Sequence, residues 1–444
     1  MGAGTSSMSS LLQPGQRAFL GIALLAIASS QIQSCGGGNP TLVPDVGASG
    51  GSGGVSFGGT EGMLDTGGTD GTGAASGGDT PFSGGSESFT DIATGGSSSS
   101  RASSGGTVGT GGASNEAYVV ALVQSIKAQA SDISQDDINS MVTNAVTQAG
   151  GLDFIHDGMT VVLKPNLLTH LSSCWGGTAT LPPTVNGITT DWRVTKAVAD
   201  LVRAKDPTGK ILVMEGSNRN TTTAFGALGY TIANFGTSVD EFVALEGSSC
   251  SSRSQTGLVQ KPGKSGEQYW INQRYFEADI LISIAALKTH GSAGTTGCVK
   301  NVGIGSTPNA MYSTSTTASD CSRSMTLIDH SFAGLGNFVS DFYSVRPPDF
   351  AIMDGLQGLQ NGPCSQNAAD KKNMRLILAA KNAVALDTVE AAVMNCTGSK
   401  VPYLTRLEGW ELGTTDLAKI KVVGNRQIAD VQQSFSGAAG NVCN

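Results

Sequence analysis

Residues Asp279 to Ser306 read DILISIAALKTHGSAGTTGCVKNVGIGS, and this stretch limits the possible folds more than any other. An apolar run from Ile280 to Leu287, interrupted only by Ser283, gives way abruptly to Lys288-Thr289-His290. Glycines follow at 291, 294 and 297, then Lys300-Asn301, then Gly303 and Gly305. An apolar run of this length between turn residues is the pattern of a strand buried on both faces, as in parallel sheets covered by helices. In open α/β sheets ligands bind beyond the carboxyl ends of the strands, which is where Lys288, His290 and the glycine loop fall.

The flanking chain repeats the strand–helix alternation. Asn115 to Asp132 reads as an amphipathic helix carrying Val119, Val120, Leu122, Val123 and Ile126 on one side. A second helix starts at Ser134, which can cap it with Asp137 three residues on. Thr160–Leu163 is a short strand running into Lys164-Pro165-Asn166-Leu167, and Lys210–Met214 is a strand ending at Glu215-Gly216-Ser217-Asn218. Helices are expected at about 194–202, 222–228, 325–343, 383–395 and 402–412, and strands at 349–353, 375–380 and 420–423. The region 248–266 has little periodicity and reads as a surface excursion. Strands alternating with helices predict a mostly parallel α/β sheet with helices on both faces. Some 330 residues can fill one large core or two subdomains around a cleft.

The first quarter of the chain does not fit that description. One basic residue, Arg17, precedes the apolar run Ala18–Ala28, which is too short to span a bilayer and suits the core of an export signal. It ends in Ile32-Gln33-Ser34-Cys35, which resembles a bacterial lipoprotein signal with Cys35 as the lipidated residue; Gln33 departs from the small residue usual there. Residues 36–114 are Gly, Ser and Thr with scattered acids, too poor in apolar clusters to offset their ordering entropy. As a flexible coil this tether would span about 50 Å. It carries a net charge of −6 of the chain's −8, which leaves the 115–444 domain nearly neutral and argues against nucleic-acid binding. The expected setting is extracytoplasmic, with the membrane as partner through the lipid. Cysteines 174, 250, 321, 364, 396 and 443 are then disulfide candidates whose pairing the sequence leaves open, and Cys298, inside the glycine loop, is expected to be unpaired.

Four motifs together carry a resemblance. Lys164-Pro165-Asn166-Leu167, ISIAALKTHGSAGTTGCVKN at 282–301, PDFAIMDG at 348–355 and AVALDT at 383–388 resemble, in order, the domain of unknown function 362 family. The likeness covers about residues 155–425. Some relatives carry ferredoxin-type iron–sulfur motifs, but this chain has no such cysteine cluster, and relatives tend to have a small residue where it has Cys298. His290, Gly294, Gly297 and Lys300 also form an H-x(3)-G-x(2)-G-x(2)-K pattern similar to one in the lactate racemase-like family. That likeness would imply proton transfer by His290 and a nickel pincer nucleotide attached to Lys300.

Read from the residues themselves, Lys164, Lys288 and Lys300 at strand ends beside a glycine loop suit a small anion, because loop N–H groups approach oxygen atoms closely. Asn166, Gly294, Gly297 and Asn301 would complete such a site. Lys288, Lys300 and His290 are the candidate catalytic groups, His290 as the acid or base. Glu215, Asp354 and Asp387 could hold a hard divalent cation or pair with the lysines. Ion pairing and helix capping are the plainer roles for the same carboxylates. There is no nucleophile elbow, phosphate-binding P-loop or dinucleotide fingerprint. Catalysis on a small anion, capture without chemistry and a purely structural role all remain open at this point.

Overall fold

The apolar run becomes β7 (Ile280–His290), buried along its whole length, in the interior of a ten-stranded sheet. The structure is a computed structural model that describes residues 118–174, 177–218, 220–246, 253–314, 323–324 and 326–443. Cys35, the expected signal and tether, Cys250 and Cys321 lie outside the described residues. The other strands of the sheet are β1 (Tyr118–Gln124), β2 (Thr160–Pro165), β3 (Lys210–Glu215), β4 (Glu241–Ala244), β8 (Gly294–Thr295), β9 (Phe350–Leu359), β10 (Lys371–Lys372), β11 (Leu376–Ala380) and β12 (Ile420–Gly424). A separate antiparallel hairpin joins β5 (Leu258–Pro262) to β6 (Gln268–Asn272).

The main order is β12-β1-β11-β9-β7-β2-β3-β4. From β9 to β4 every pairing is parallel, β11 runs against both β9 and β1, and β12 runs parallel to β1. The fold is therefore the expected α/β class with a mostly parallel sheet. The chain proceeds outward from β2 through β3 to β4, then returns to lay β7 on the other side of β2. That reversal is a topological switch point, where neighbouring connections leave in opposite directions and open a crevice.

Strand alternation feeds two cores. In β7, Leu281, Ala285 and Leu287 face one core and Ile280, Ile282 and Ile284 the other. The first core lies under α4 (Gly297–Gly305), α5 (Phe332–Val345), α6 (Ala383–Val393) and α7 (Pro402–Gly409); the second under α1 (Gln135–Gln148), α2 (Trp192–Lys205) and α3 (Thr221–Ala227). The ten-stranded sheet lies within one compact unit, and the cleft lies over the ends of its strands. Among the described residues no helix is long and apolar enough to cross a membrane.

One sequence expectation is corrected. The helix expected at 115–132 is instead β1, held between β11 and β12. Its apolar residues are continuous because both faces are buried: Val120 and Leu122 enter one core, Ala121 and Val123 the other. Ile126, which would have completed a helical stripe, is 91% exposed. The described part of the surface excursion expected at 248–266 carries β5 of the separate hairpin, whose turn is fixed by Asp341: its carboxylate accepts from the Ser265 backbone N–H at 2.7 Å and from the Tyr269 hydroxyl at 2.8 Å. At the start of α1 the expected capping box of Ser134 and Asp137 is present.

Candidate functional site

The carboxyl end of β2 places Lys164 beneath the crevice. Its ammonium is fully buried and ion-paired with Glu215 at the end of β3. It also donates to the Pro165 carbonyl at 2.7 Å and to Asn301 Oδ1 at 3.1 Å. Asn301 on α4 donates in return to the Lys164 carbonyl and to Ser283 on β7. Burial drives Lys164 down and Glu215 up, both toward neutrality, and the pair's mutual attraction opposes both shifts. α4 passes very close: a Cβ on Gly305 would lie 2.7 Å from Lys164 Nζ.

Above this pair lies a cavity of about 30 Å³, walled by Asn166, Leu168, Glu215, Gly216, Lys288, Thr296, Lys300, Ile304, Gly305, Arg323 and Pro363. That leaves room for a guest of a few heavy atoms. Lys288 lies past an irregularity in the β7–β9 register and donates to Asn166 Oδ1 at 3.1 Å and to the Ile188 carbonyl. Arg323 donates from Nε to Thr307 Oγ1 at 2.7 Å and from Nη2 to the Gly216 carbonyl. Lys300 is only 9% exposed, and among the described residues nothing accepts from its Nζ. Thr296 Oγ1 is likewise buried without a partner. Burial, and then Lys300, hold Lys288 down at about 7; burial and Arg323 hold Lys300 at about 7; burial alone lowers Arg323 to about 10. Glu215 is the one acid on the wall, and Lys164 already engages it.

The other expected site residues are arranged differently. His290 is buried, and its Nδ1 accepts from the Ser292 N–H at 3.1 Å. Burial, Lys300 and Lys288 push its pKa well below the usual value, so the ring is neutral, and it is not part of the cavity wall. Gly294, at φ +86°, pairs with His290 in the short β7–β8 ladder and packs toward Val442. Gly297, at φ +56°, makes room for the Asp387 carboxylate. Asn301 and Lys164 form the floor behind Glu215 rather than the wall.

The three acids proposed for a cation are not brought together. Asp387 on α6 accepts from the backbone N–H groups of Cys298 at 2.7 Å and Val299 at 2.8 Å, so it caps the buried start of α4. Asp354 sits on the opposite face of the sheet and accepts from the Asp191 and Leu356 N–H groups, at the start of α2. Burial, with Asp191 adding to it, raises Asp354 to about 7; burial raises Asp387 to about 8. Among the described residues no three His, Cys, Asp or Glu side chains are grouped to hold a metal ion. A nucleotide-sized cofactor on Lys300 does not fit either: the cavity is too small, and His290 is turned to its own loop.

Three contributors escaped the sequence reading. Arg323 stands in a Ser/Thr-rich segment without periodicity, and nothing local marks it. Thr296 was hidden among the loop residues. Glu390, one turn after Asp387, is buried against the Lys288 backbone with Oε2 unpartnered; burial and Asp387 raise its pKa well above normal. Its signal was legible, since acids three residues apart in an otherwise apolar helix share a face. Of the cysteines, Cys298 is free and buried, whereas Cys174–Cys364 and Cys396–Cys443 are bonded.

Fold and site together define a parallel α/β domain with a cation-walled cavity at the switch point of its sheet. The chain belongs to the family Domain of unknown function (DUF362), whose profile matches residues 161–392. No curated protein matches it. Among solved structures it is similar to the lactate racemase apoprotein from Thermoanaerobacterium thermosaccharolyticum, at 14% identity and TM-score 0.36 over 64% of this chain and 58% of that one. The chain thus spans less than two thirds of that protein's length.

Proposed function

We propose that this member of the family holds a small anion in the cavity between β2, β7 and α4, outside the cytoplasm, on a lipid anchor at Cys35. The observation that carries the anion reading is charge: Lys288, Lys300 and Arg323 converge on one small space whose single acid is already paired. Buried cations without counter-ions are costly, and an entering anion relieves that cost for all three. Export is supported by the sequence before residue 36 and by the two disulfides, which persist in oxidising compartments.

Calorimetry with oxalate, phosphate and sulfate tests the anion reading. Binding is expected near pH 6, with affinity falling as pH rises through 7, because Lys288 and Lys300 must be protonated to attract the anion. Arg323→Gln should weaken it roughly tenfold or more, the loss of one charge-assisted contact. Equal affinity in the variant sinks the reading. For the anchor, Cys35→Ser should move the protein from the membrane to the soluble fraction; unchanged membrane association counts against it.

A further inference from the structure

One amine in the cavity is used by nothing else in the described protein. Lys164 pairs with Glu215, and Lys288 donates to Asn166 and to the Ile188 carbonyl. Lys300 has no such partner, yet it is nine-tenths buried and faces the guest space. An ammonium so placed sheds its proton readily, and burial with Arg323 holds its pKa near 7. The free amine is a nucleophile, and desolvation next to other cations is a recognised way of making one. Thr296 adds an unpartnered hydroxyl to the same wall.

Building on the anion reading above, we propose that Lys300 condenses reversibly with the carbonyl carbon of a small oxo acid, whose carboxylate is held by Arg323 and Lys288. The amine lone pair forms the C–N bond as the carbonyl π bond opens, and a proton passes from nitrogen to oxygen to give a carbinolamine. Uptake of one proton from solvent and loss of that oxygen as water leave a protonated imine. No oxidant or reductant is consumed. The Thr296 hydroxyl is available to hydrogen-bond the departing oxygen. Lys300, Lys288 and Arg323 line the same small cavity, so the oxo group must lie next to the carboxylate. That makes 2-oxo acids the expected class.

The test treats the full chain at pH 7 with pyruvate and sodium borohydride, whose hydride reduces the imine to a stable secondary amine, and maps adducts by peptide mass spectrometry. Lys300 should be modified at least roughly tenfold faster than exposed lysines such as Lys264, because burial beside Arg323 holds its own pKa at about 7. Oxalate should protect it, and acetone, which lacks the carboxylate, should show no such preference. An unmodified Lys300 in protein that pyruvate still stabilises thermally, with the stabilisation lost in Arg323→Gln, overturns the imine and leaves anion holding intact. Neither adduct nor stabilisation overturns both. The decisive arms use the unaltered chain, so misfolding of a variant cannot obscure them.

Discussion

Replacing Gly297 by alanine tests the geometry that supports the site. Gly297 adopts φ +56°, where a Cβ costs about 1–2 kcal/mol on backbone grounds alone. Here the Cβ would also overlap the Asp387 carboxylate and push it off the Cys298 and Val299 N–H groups. Leaving buried donors unsatisfied costs about 1–3 kcal/mol each. Gly297→Ala should therefore lose about 3–8 kcal/mol, and Asp387→Ala, which orphans the same two donors, about 2–6 kcal/mol. Once Asp387 is gone the overlap is gone too. In that background Gly297→Ala should cost only the backbone share, so the double mutant is more stable than the sum predicts by about 2–6 kcal/mol. Urea unfolding of the four proteins measures this. Costs that add to within about 0.5 kcal/mol would show that glycine is there for its backbone alone and that the cap is not what it protects.

Two further outcomes follow from buried charge. Glu215→Gln strands the Lys164 ammonium and should cost about 3–5 kcal/mol in urea unfolding, while Lys164→Met with Glu215→Met should recover most of that loss; a double variant worse than the single one contradicts the pairing. Asp354 has its folded pKa raised to about 7 against an unfolded value of about 3.9, so its contribution is complete below pH 4 and is lost as pH rises through 7. The stability gap between the native chain and Asp354→Asn should therefore shrink by roughly 2 kcal/mol between pH 5 and 7; parallel pH curves refute that assignment.

Much of the fold was legible because periodicity and burial agreed. Ile280–Leu287 is apolar on both faces and lies inside the sheet, and Ser134 with Asp137 starts a helix as its capping box requires. The same two-sided burial made β1 ambiguous, since a strand with neighbours above and below has no alternation to betray its period. In the site, Lys288 and Lys300 were found because strand ends and glycine loops are local signals. Asp354 and Asp387 were found for the same reason, but their partners, the starts of α2 and α4, are set by tertiary packing, and no spacing distinguishes a cap from a ligand. Arg323 reaches the cavity from a segment without any pattern, so only three-dimensional proximity could reveal it.

The Cys174–Cys364 bond joins residues 190 apart in sequence, one in the loop after β2 and the other in the loop after β9. Leu168 and Pro363, in those same two loops, are wall residues of the cavity. During synthesis the first loop is complete long before its partner has been made, so the cations can be assembled before their rim is fastened. Fastening then depends on an external electron acceptor, and a freshly made chain in reducing surroundings carries the charged floor with an unsecured rim. Closure of the rim becomes a matter of maturation history as well as of sequence. Two preparations of one sequence can therefore differ in whether that rim is closed.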